Sequence, residues 1–132
     1  MSQENVDIVR RAFGAYERGD IPGLLAEFSA DIVTRQNPPI PDARTYQGHE
    51  GVLKAIADYT LPFDEFVMTA EEFTSADDKV LVRVHQKAVG TESGVPVEGD
   101  FWFVYSVSEG VITRLDMFSG EPEAVEAAGL SE

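Results

Sequence analysis

The feature that most constrains the fold of this chain is a succession of four β-type segments in its second half. The links between them are short and rich in serine, glycine and acidic residues. Links of this kind join neighbouring antiparallel strands. The sequence therefore predicts one mainly antiparallel sheet, whose strands cover residues 66–74, 79–89, 97–107 and 111–118.

One of these strands is apolar on both of its alternating sides, from Phe101 to Tyr105. A strand with this pattern is covered on both faces, because a face that meets water normally carries polar residues. We expect helices to cover one face. We expect a second copy of the chain to cover the other, which predicts a homodimer through the sheet face opposite the helices.

The first 60 residues predict three helical pieces, and they classify the fold as α+β. The first helix has apolar residues at three-four spacing and ends at Gly19, the second is short and capped by Asp20, and the third runs from His49 to Tyr59. Residues 32–36 predict a short strand, and the prolines within residues 37–41 predict a loop. A last helical turn is expected at residues 123–128, closed by Gly129.

Length and charge restrict the classes of partner. A chain of 132 residues with 43% apolar residues suits a single domain over residues 1–132. The formal net charge of −14 repels phosphate backbones and anionic lipid surfaces, so neither nucleic acid nor a membrane is expected as a partner. No long apolar run and no signal-peptide pattern is present, so we expect a cytoplasmic protein.

The residue types also restrict the chemistry. The chain has no cysteine, which excludes disulfides, thiolate nucleophiles and cysteine-bound metals, and its two histidines make a closed metal site improbable. Neither a phosphate-cradling glycine motif nor a GxSxG segment is present. We therefore expect neither a metal nor a cofactor.

Several spaced segments resemble a known family. They are ENV at residues 4–6, IVRR at 8–11, GD at 19–20, YQGHEGV at 46–52, EGVITR at 109–114 and EAVEAAGL at 123–130. In order and spacing they resemble the SnoaL-like branch of the nuclear-transport-factor-like fold, over nearly the whole chain. The resemblance implies a cone, in which a strongly bent sheet wraps on about three N-terminal helices and encloses a pocket for a small apolar or polycyclic molecule.

The same resemblance leaves the activity open. The fold family includes ketosteroid isomerases, polyketide cyclases, dehydratases, epoxide hydrolases and noncatalytic domains. A ketosteroid isomerase needs a carboxylate base and two oxyanion donors, and the corresponding places hold Gln36, Ala12 and Phe101. Steroid isomerisation is therefore disfavoured.

Three polar strand residues are candidates for acid/base chemistry, namely Arg83, His85 and Asp116. Residues 114–118 resemble the last-strand segment of limonene-epoxide-hydrolase-like proteins, in which the corresponding Asp lies in the pocket. The resemblance implies that Asp116 faces the pocket. His85 would be its proton-exchanging partner and Arg83 the orienting cation, if the strands bring them together. The alternatives are that Asp116 and Arg114 form an exposed ion pair, and that Arg83, His85 and Lys87 form a solvated basic stripe on the outer face of the sheet.

The candidate ligand-binding residues combine aromatic walls with a few polar groups. They are Tyr16, Gln36, Tyr59, Phe101, Phe103, Arg114 and Phe118. Two functions follow from the sequence, a cofactor-independent isomerase, cyclase or hydrolase, and a noncatalytic ligand-binding or dimerisation domain.

Overall fold

One mixed sheet of six strands organises the chain, in the order β2-β1-β6-β5-β4-β3. The computed structural model describes residues 2–37, 40 and 43–130. Within them the elements are α1 (Ser2–Arg18), α2 (Ile21–Ala26), β1 (Phe28–Gln36), β2 (Thr45–Gln47), α3 (Gly48–Thr60), β3 (Phe63–Ala76), β4 (Lys79–Gly90), β5 (Pro96–Ser108), β6 (Val111–Phe118) and α4 (Glu121–Ala127).

The predicted antiparallel succession is confirmed. Strands β3 to β6 pair consecutively and antiparallel, and each is within a few residues of its predicted bounds. The sheet is mixed because β1 returns to pair with β6 in parallel, and the short β2 adds an antiparallel edge to β1. The predicted loop at residues 37–41 falls partly on Pro38, Pro39 and Pro41, which lie outside the described residues.

The three predicted N-terminal helices are confirmed. Gly19 ends α1 with φ +74°, a left-handed conformation that favours glycine. Asp20 then caps α2 by accepting a hydrogen bond from the Gly23 amide at 3.0 Å. Together with α3, these helices lie on one face of the sheet, which is called the inner face below.

The main core lies between the helices and the inner face. Val9 and Phe13 of α1 meet Val82 and Phe103 of the central strands, all nearly or fully buried. The Phe13 ring packs within 5.9–6.4 Å of the rings of Phe73, Phe103 and Tyr105. The burial of these apolar groups is the main contribution that holds the helices on the sheet.

The opposite, outer face of the sheet carries a second apolar cluster. Helix α4 places Ala124 and Ala128 against Leu81, Val104 and Phe118, and Val104 is only 1% exposed. One chain therefore covers part of the outer side of β5 with its own helix α4. The apolar outer side of β5 is thus weaker evidence that a second copy covers this face. Among the described residues, no helix is both long enough and apolar enough to cross a lipid bilayer.

Candidate functional site

The candidate site is an inner cavity of about 70 Å³ between the helices and the inner face of the sheet. Its walls are almost wholly apolar and contain no Asp, Glu, His, Lys or Arg. The lining residues are Ala12, Phe13, Tyr16, Leu24, Phe28, Thr34, Val52, Ala55, Ile56, Tyr59, Thr60, Phe66, Met68, Phe103, Tyr105, Leu115 and Met117. Such a wall favours uncharged, apolar occupants, because a charged group would lose its hydration without gaining a partner.

Hydroxyl groups supply the polarity of this cavity. Thr34 is 2% exposed, and its Oγ1 atom has no hydrogen-bond partner among the described protein groups. Tyr59 donates from its hydroxyl to Gln86 Oε1 at 2.7 Å, so that this phenol is held in place. Burial raises the pKa of Tyr59 to about 12 and also raises the pKa of Tyr16 and of Tyr105. These phenols therefore stay neutral near pH 7.

A second, outer cavity of about 330 Å³ adjoins the first, and Tyr59 and Phe66 line both. The Tyr59 ring packs edge-on against Phe66 at 5.6 Å, so that these two rings form the boundary between the cavities. Unlike the inner cavity, the outer one has charged residues in its lining, Lys87, Glu98 and Asp100. A molecule that enters the inner cavity through the outer cavity would pass from a polar rim to an apolar interior.

The structure corrects the expectation that Asp116 faces the pocket. Leu115 and Met117 line the inner cavity, and side chains alternate along a strand, so Asp116 projects from the outer face. There its carboxylate accepts hydrogen bonds from Arg114 Nε at 2.7 Å and from Asn37 Nδ2 at 3.4 Å. The expectation came from the resemblance to limonene-epoxide-hydrolase-like proteins, because alternation along β6 left both faces open. A β-bulge in β6, where Ser106 pairs with Arg114 but Val107 pairs with Ile112, also breaks that alternation.

The structure also does not bring His85 and Asp116 together, so they form no acid/base couple. They lie on β4 and β6, which β5 separates, and their partners on β5 are Asp100 and Val104. Two strand spacings and four residues of offset put them roughly 15 Å apart. Their individual catalytic roles stay predictions.

His85 instead belongs to a polar cluster on the outer face. Its Nδ1 lies 2.7 Å from Asp100 Oδ1, and its Nε2 lies 2.7 Å from Glu98 Oε2. Arg83 Nη1 contacts Asp100 at 3.5 Å and Arg83 Nε contacts Glu72 at 3.7 Å. Both ring nitrogens of His85 are thus engaged by carboxylates, which leaves neither one free for a substrate in this arrangement.

This cluster predicts a dependence of stability on pH. The hydrogen bonds that the carboxylates of Asp100 and then Glu98 accept from the ring raise the pKa of His85, so its stabilising contribution is complete below about pH 6.5 and is lost as the pH rises through the raised pKa. We expect the Tm of the wild type to fall between pH 6 and pH 9 more than that of His85→Gln, by a small amount because the cluster is exposed. Parallel slopes in differential scanning calorimetry would contradict this role of His85.

The predicted ligand-binding residues divide between the two faces of the sheet. Tyr16, Tyr59 and Phe103 line the inner cavity, and Phe101 lines the outer cavity. Gln36 is buried on β1, at the end of the strand beside Met117. Arg114 and Phe118 are on the outer face, Arg114 paired with Asp116 and Phe118 packed in the α4 cluster.

Sequence reasoning missed several lining residues, above all Thr34, Phe66 and Met117. The signal for Thr34 was present, because the alternation in residues 32–36 puts its hydroxyl on the same side as the apolar Ile32. A β-bulge between Asp64 and Val67, with Glu65 at φ +52°, interrupts the alternation next to Phe66. No sequence pattern marks that bulge.

A curved sheet that packs against three helices and encloses an apolar cavity defines the class of nuclear-transport-factor-2-like (NTF2-like) proteins. The profile of the SnoaL-like domain matches residues 9–115, and the chain belongs to this family. An uncharacterized protein of Mycobacterium tuberculosis (strain H37Rv) is 27% identical over 124 residues, which are 93% of this chain and 94% of that protein.

Solved structures agree with this assignment. An NTF2-like protein from Burkholderia xenovorans has a TM-score of 0.74 and 27% identity, with 97% of this chain and 98% of that chain covered. TerC, crystallised with polyporic acid, has a TM-score of 0.78 and 18% identity, with 97% and 99% covered. At that identity, the likeness to TerC shows the fold alone.

Proposed function

We propose that this chain binds a small, uncharged, largely apolar molecule in the inner cavity. The observation that carries the proposal is a cavity wall of aromatic and aliphatic side chains without a single ionisable acid, base or cation other than tyrosine. Binding sites for small molecules combine such walls with a few placed polar groups, and the hydroxyls of Thr34, Tyr59 and Tyr105 are of that kind. Many SnoaL-like and NTF2-like domains bind small molecules, which agrees with this proposal.

The size of the cavity limits the occupant. An apolar cavity that holds benzene measures about 150 Å³. The 70 Å³ of the inner cavity is smaller, so an aromatic molecule that binds there would extend past Tyr59 and Phe66 into the outer cavity. The crystals of TerC with polyporic acid show that a protein of this fold is found with a small organic molecule.

Binding is favoured over proton-transfer catalysis by the same lining. General acid/base catalysis requires a titratable group within hydrogen-bond reach of the reacting atom, at a pKa near the working pH. The inner cavity offers phenols of raised pKa, among them Tyr59 at about 12. An isomerase, cyclase or hydrolase that uses Arg83, His85 or Asp116 stays a prediction, and its substrate would have to reach the outer face of the sheet.

Filling the inner cavity tests the proposal. Ala55 is 3% exposed on α3 and lines the cavity, so Ala55→Leu puts additional side-chain atoms into the space where the ligand would lie. We expect saturating toluene to raise the Tm of the wild type, because a molecule that binds only the folded state stabilises it. Ala55→Leu is expected to remain folded and to lose this toluene-dependent rise.

The matched control is Ala57→Leu, the same change on the exposed side of α3. It is expected to retain the full rise in Tm. If toluene raises the Tm of both variants equally, or does not stabilise the wild type, the proposed binding in the inner cavity is wrong.

Two further properties stay predictions. A homodimer through the outer face would have to use the surface that α4 leaves uncovered, which includes the half-buried Trp102. The cytoplasmic location rests on the sequence pattern alone.

A further inference from the structure

Thr34 is an unusual polar residue among those that the structure describes. It lies in β1, it is 2% exposed, and it lines the inner cavity. Among the described residues, its Oγ1 atom is the one buried side-chain oxygen or nitrogen without a hydrogen-bond partner. A buried hydroxyl that makes no hydrogen bond destabilises the folded state, and most native structures avoid this arrangement.

The strand register aligns Thr34 across the sheet with Tyr105, which carries a second hydroxyl. Thr34 is opposite Leu115 on β6, and Leu115 is opposite Tyr105 on β5. All three side chains line the inner cavity. Thr34 and Tyr105 are thus two strand spacings apart, roughly 10 Å between their backbones, with an apolar leucine between them.

We propose that the molecule in the inner cavity carries an uncharged oxygen, as a hydroxyl or carbonyl group, that hydrogen-bonds to Thr34 Oγ1. This inference rests on the proposed function, since it names the chemical class of the ligand for that same cavity. A threonine hydroxyl donates one hydrogen bond and accepts others, so it pairs with either group. Its methyl group meanwhile keeps the surrounding wall apolar.

The lining of the cavity argues against a charged ligand. No lysine or arginine is present there to pair with a carboxylate, and no aspartate or glutamate is present to pair with an ammonium group. The free-energy cost of burying an unpaired charge is far larger than the stabilisation from one hydrogen bond to a hydroxyl. The ligand is therefore neutral at its buried end, whatever it carries at the rim near Lys87, Glu98 and Asp100.

Toluene and phenol test this proposal, because they have nearly the same shape and differ by a methyl against a hydroxyl group. Thr34→Val removes the hydroxyl of Thr34 at almost unchanged volume. We expect the ratio of the toluene Kd to the phenol Kd to fall about fivefold to tenfold in Thr34→Val, as the loss of one hydrogen bond predicts. In Thr34→Ser, which keeps a hydroxyl, the ratio is expected to stay within about twofold of the wild-type value.

The stability of Thr34→Val provides an independent readout. If the Thr34 hydroxyl is without a partner in the free protein, its removal is expected to raise the Tm by roughly 3–6 °C. A lower Tm would show that the hydroxyl already has a stabilising partner within the chain, and this would overturn the proposal.

Each remaining outcome separates this inference from the function on which it rests. Toluene binding that Ala55→Leu abolishes, together with an unchanged phenol preference in Thr34→Val, overturns the role of Thr34 and leaves the proposed function intact. Failure of toluene to bind the wild type overturns both. Benzoate is expected to bind at least about tenfold more weakly than phenol, and equal binding would overturn the inference that the buried end is neutral.

Discussion

Phe13→Ala is expected to lower the free energy of unfolding by about 3–5 kcal/mol. Phe13 is 5% exposed, and its ring contacts the rings of Phe73, Phe103 and Tyr105 at 5.9–6.4 Å between centroids. It connects α1 to the two strands β3 and β5, so its removal loses apolar burial and leaves a cavity that the rigid sheet cannot close. Urea denaturation followed by circular dichroism measures the loss.

Phe63→Ala is the matched control, because Phe63 is partly exposed and lines the outer cavity. It is expected to lower the free energy of unfolding by less than about 2 kcal/mol. Similar losses for the two variants would contradict the account of a main core centred on Phe13.

Val104→Asp is expected to be the most destabilising change on the outer face, with a loss of about 4 kcal/mol or more in the free energy of unfolding. Val104 is 1% exposed in the apolar cluster beneath α4, and the cation nearest along β6, Arg114, is already paired with Asp116. Its partner on β6 is Asp116, so the new charge would also stand opposite a like charge. Chemical denaturation at several protein concentrations measures the effect.

The stability loss caused by the introduced charge can be separated from the loss caused by burying a polar group. Val104→Asn keeps the shape of the aspartate without its charge and is expected to lose less stability. Because burial and Asp116 would raise the pKa of the introduced carboxyl, the excess loss in Val104→Asp is complete above that raised pKa. It shrinks as the pH falls below the raised pKa and is gone near the ordinary aspartate pKa of about 4. A loss below about 1 kcal/mol, the range of surface substitutions, would show that α4 does not cover Val104 within one chain.

The strand and helix order was predictable from the sequence because its signals are local. Gly19 and Asp20 mark the boundary between α1 and α2, and the links around Asp77 and Gly110 separate long strands. The parallel return of β1 to β6 was not predictable in the same way. It depends on contacts between residues about 80 positions apart, such as Thr34 with Leu115, for which no turn sets the register.

The face of the sheet that each polar strand residue occupies was the hardest feature to predict. Alternation separates Asp116 from Leu115, but it does not say which of them faces the helices. In this chain α4 packs on the outer face and gives Phe118 an apolar environment there, so both sides of β6 carry apolar residues. Ala124 of α4 is 0% exposed because of this packing. The short α4 helix shows little amphipathic pattern from which its packing on the outer face could be predicted.

The measurement that tests the central claim most directly is a toluene titration followed by NMR of the methionine methyl groups. Met68 and Met117 both line the inner cavity, from β3 and β6, whereas Trp102 lies on the outer face with the α4 cluster. We predict saturable shifts of the Met68 and Met117 methyl resonances, with the indole N–H of Trp102 unchanged. Unchanged methionine methyl resonances at saturating toluene, or shifts at Trp102 alone, would contradict the claim that the inner cavity is the binding site.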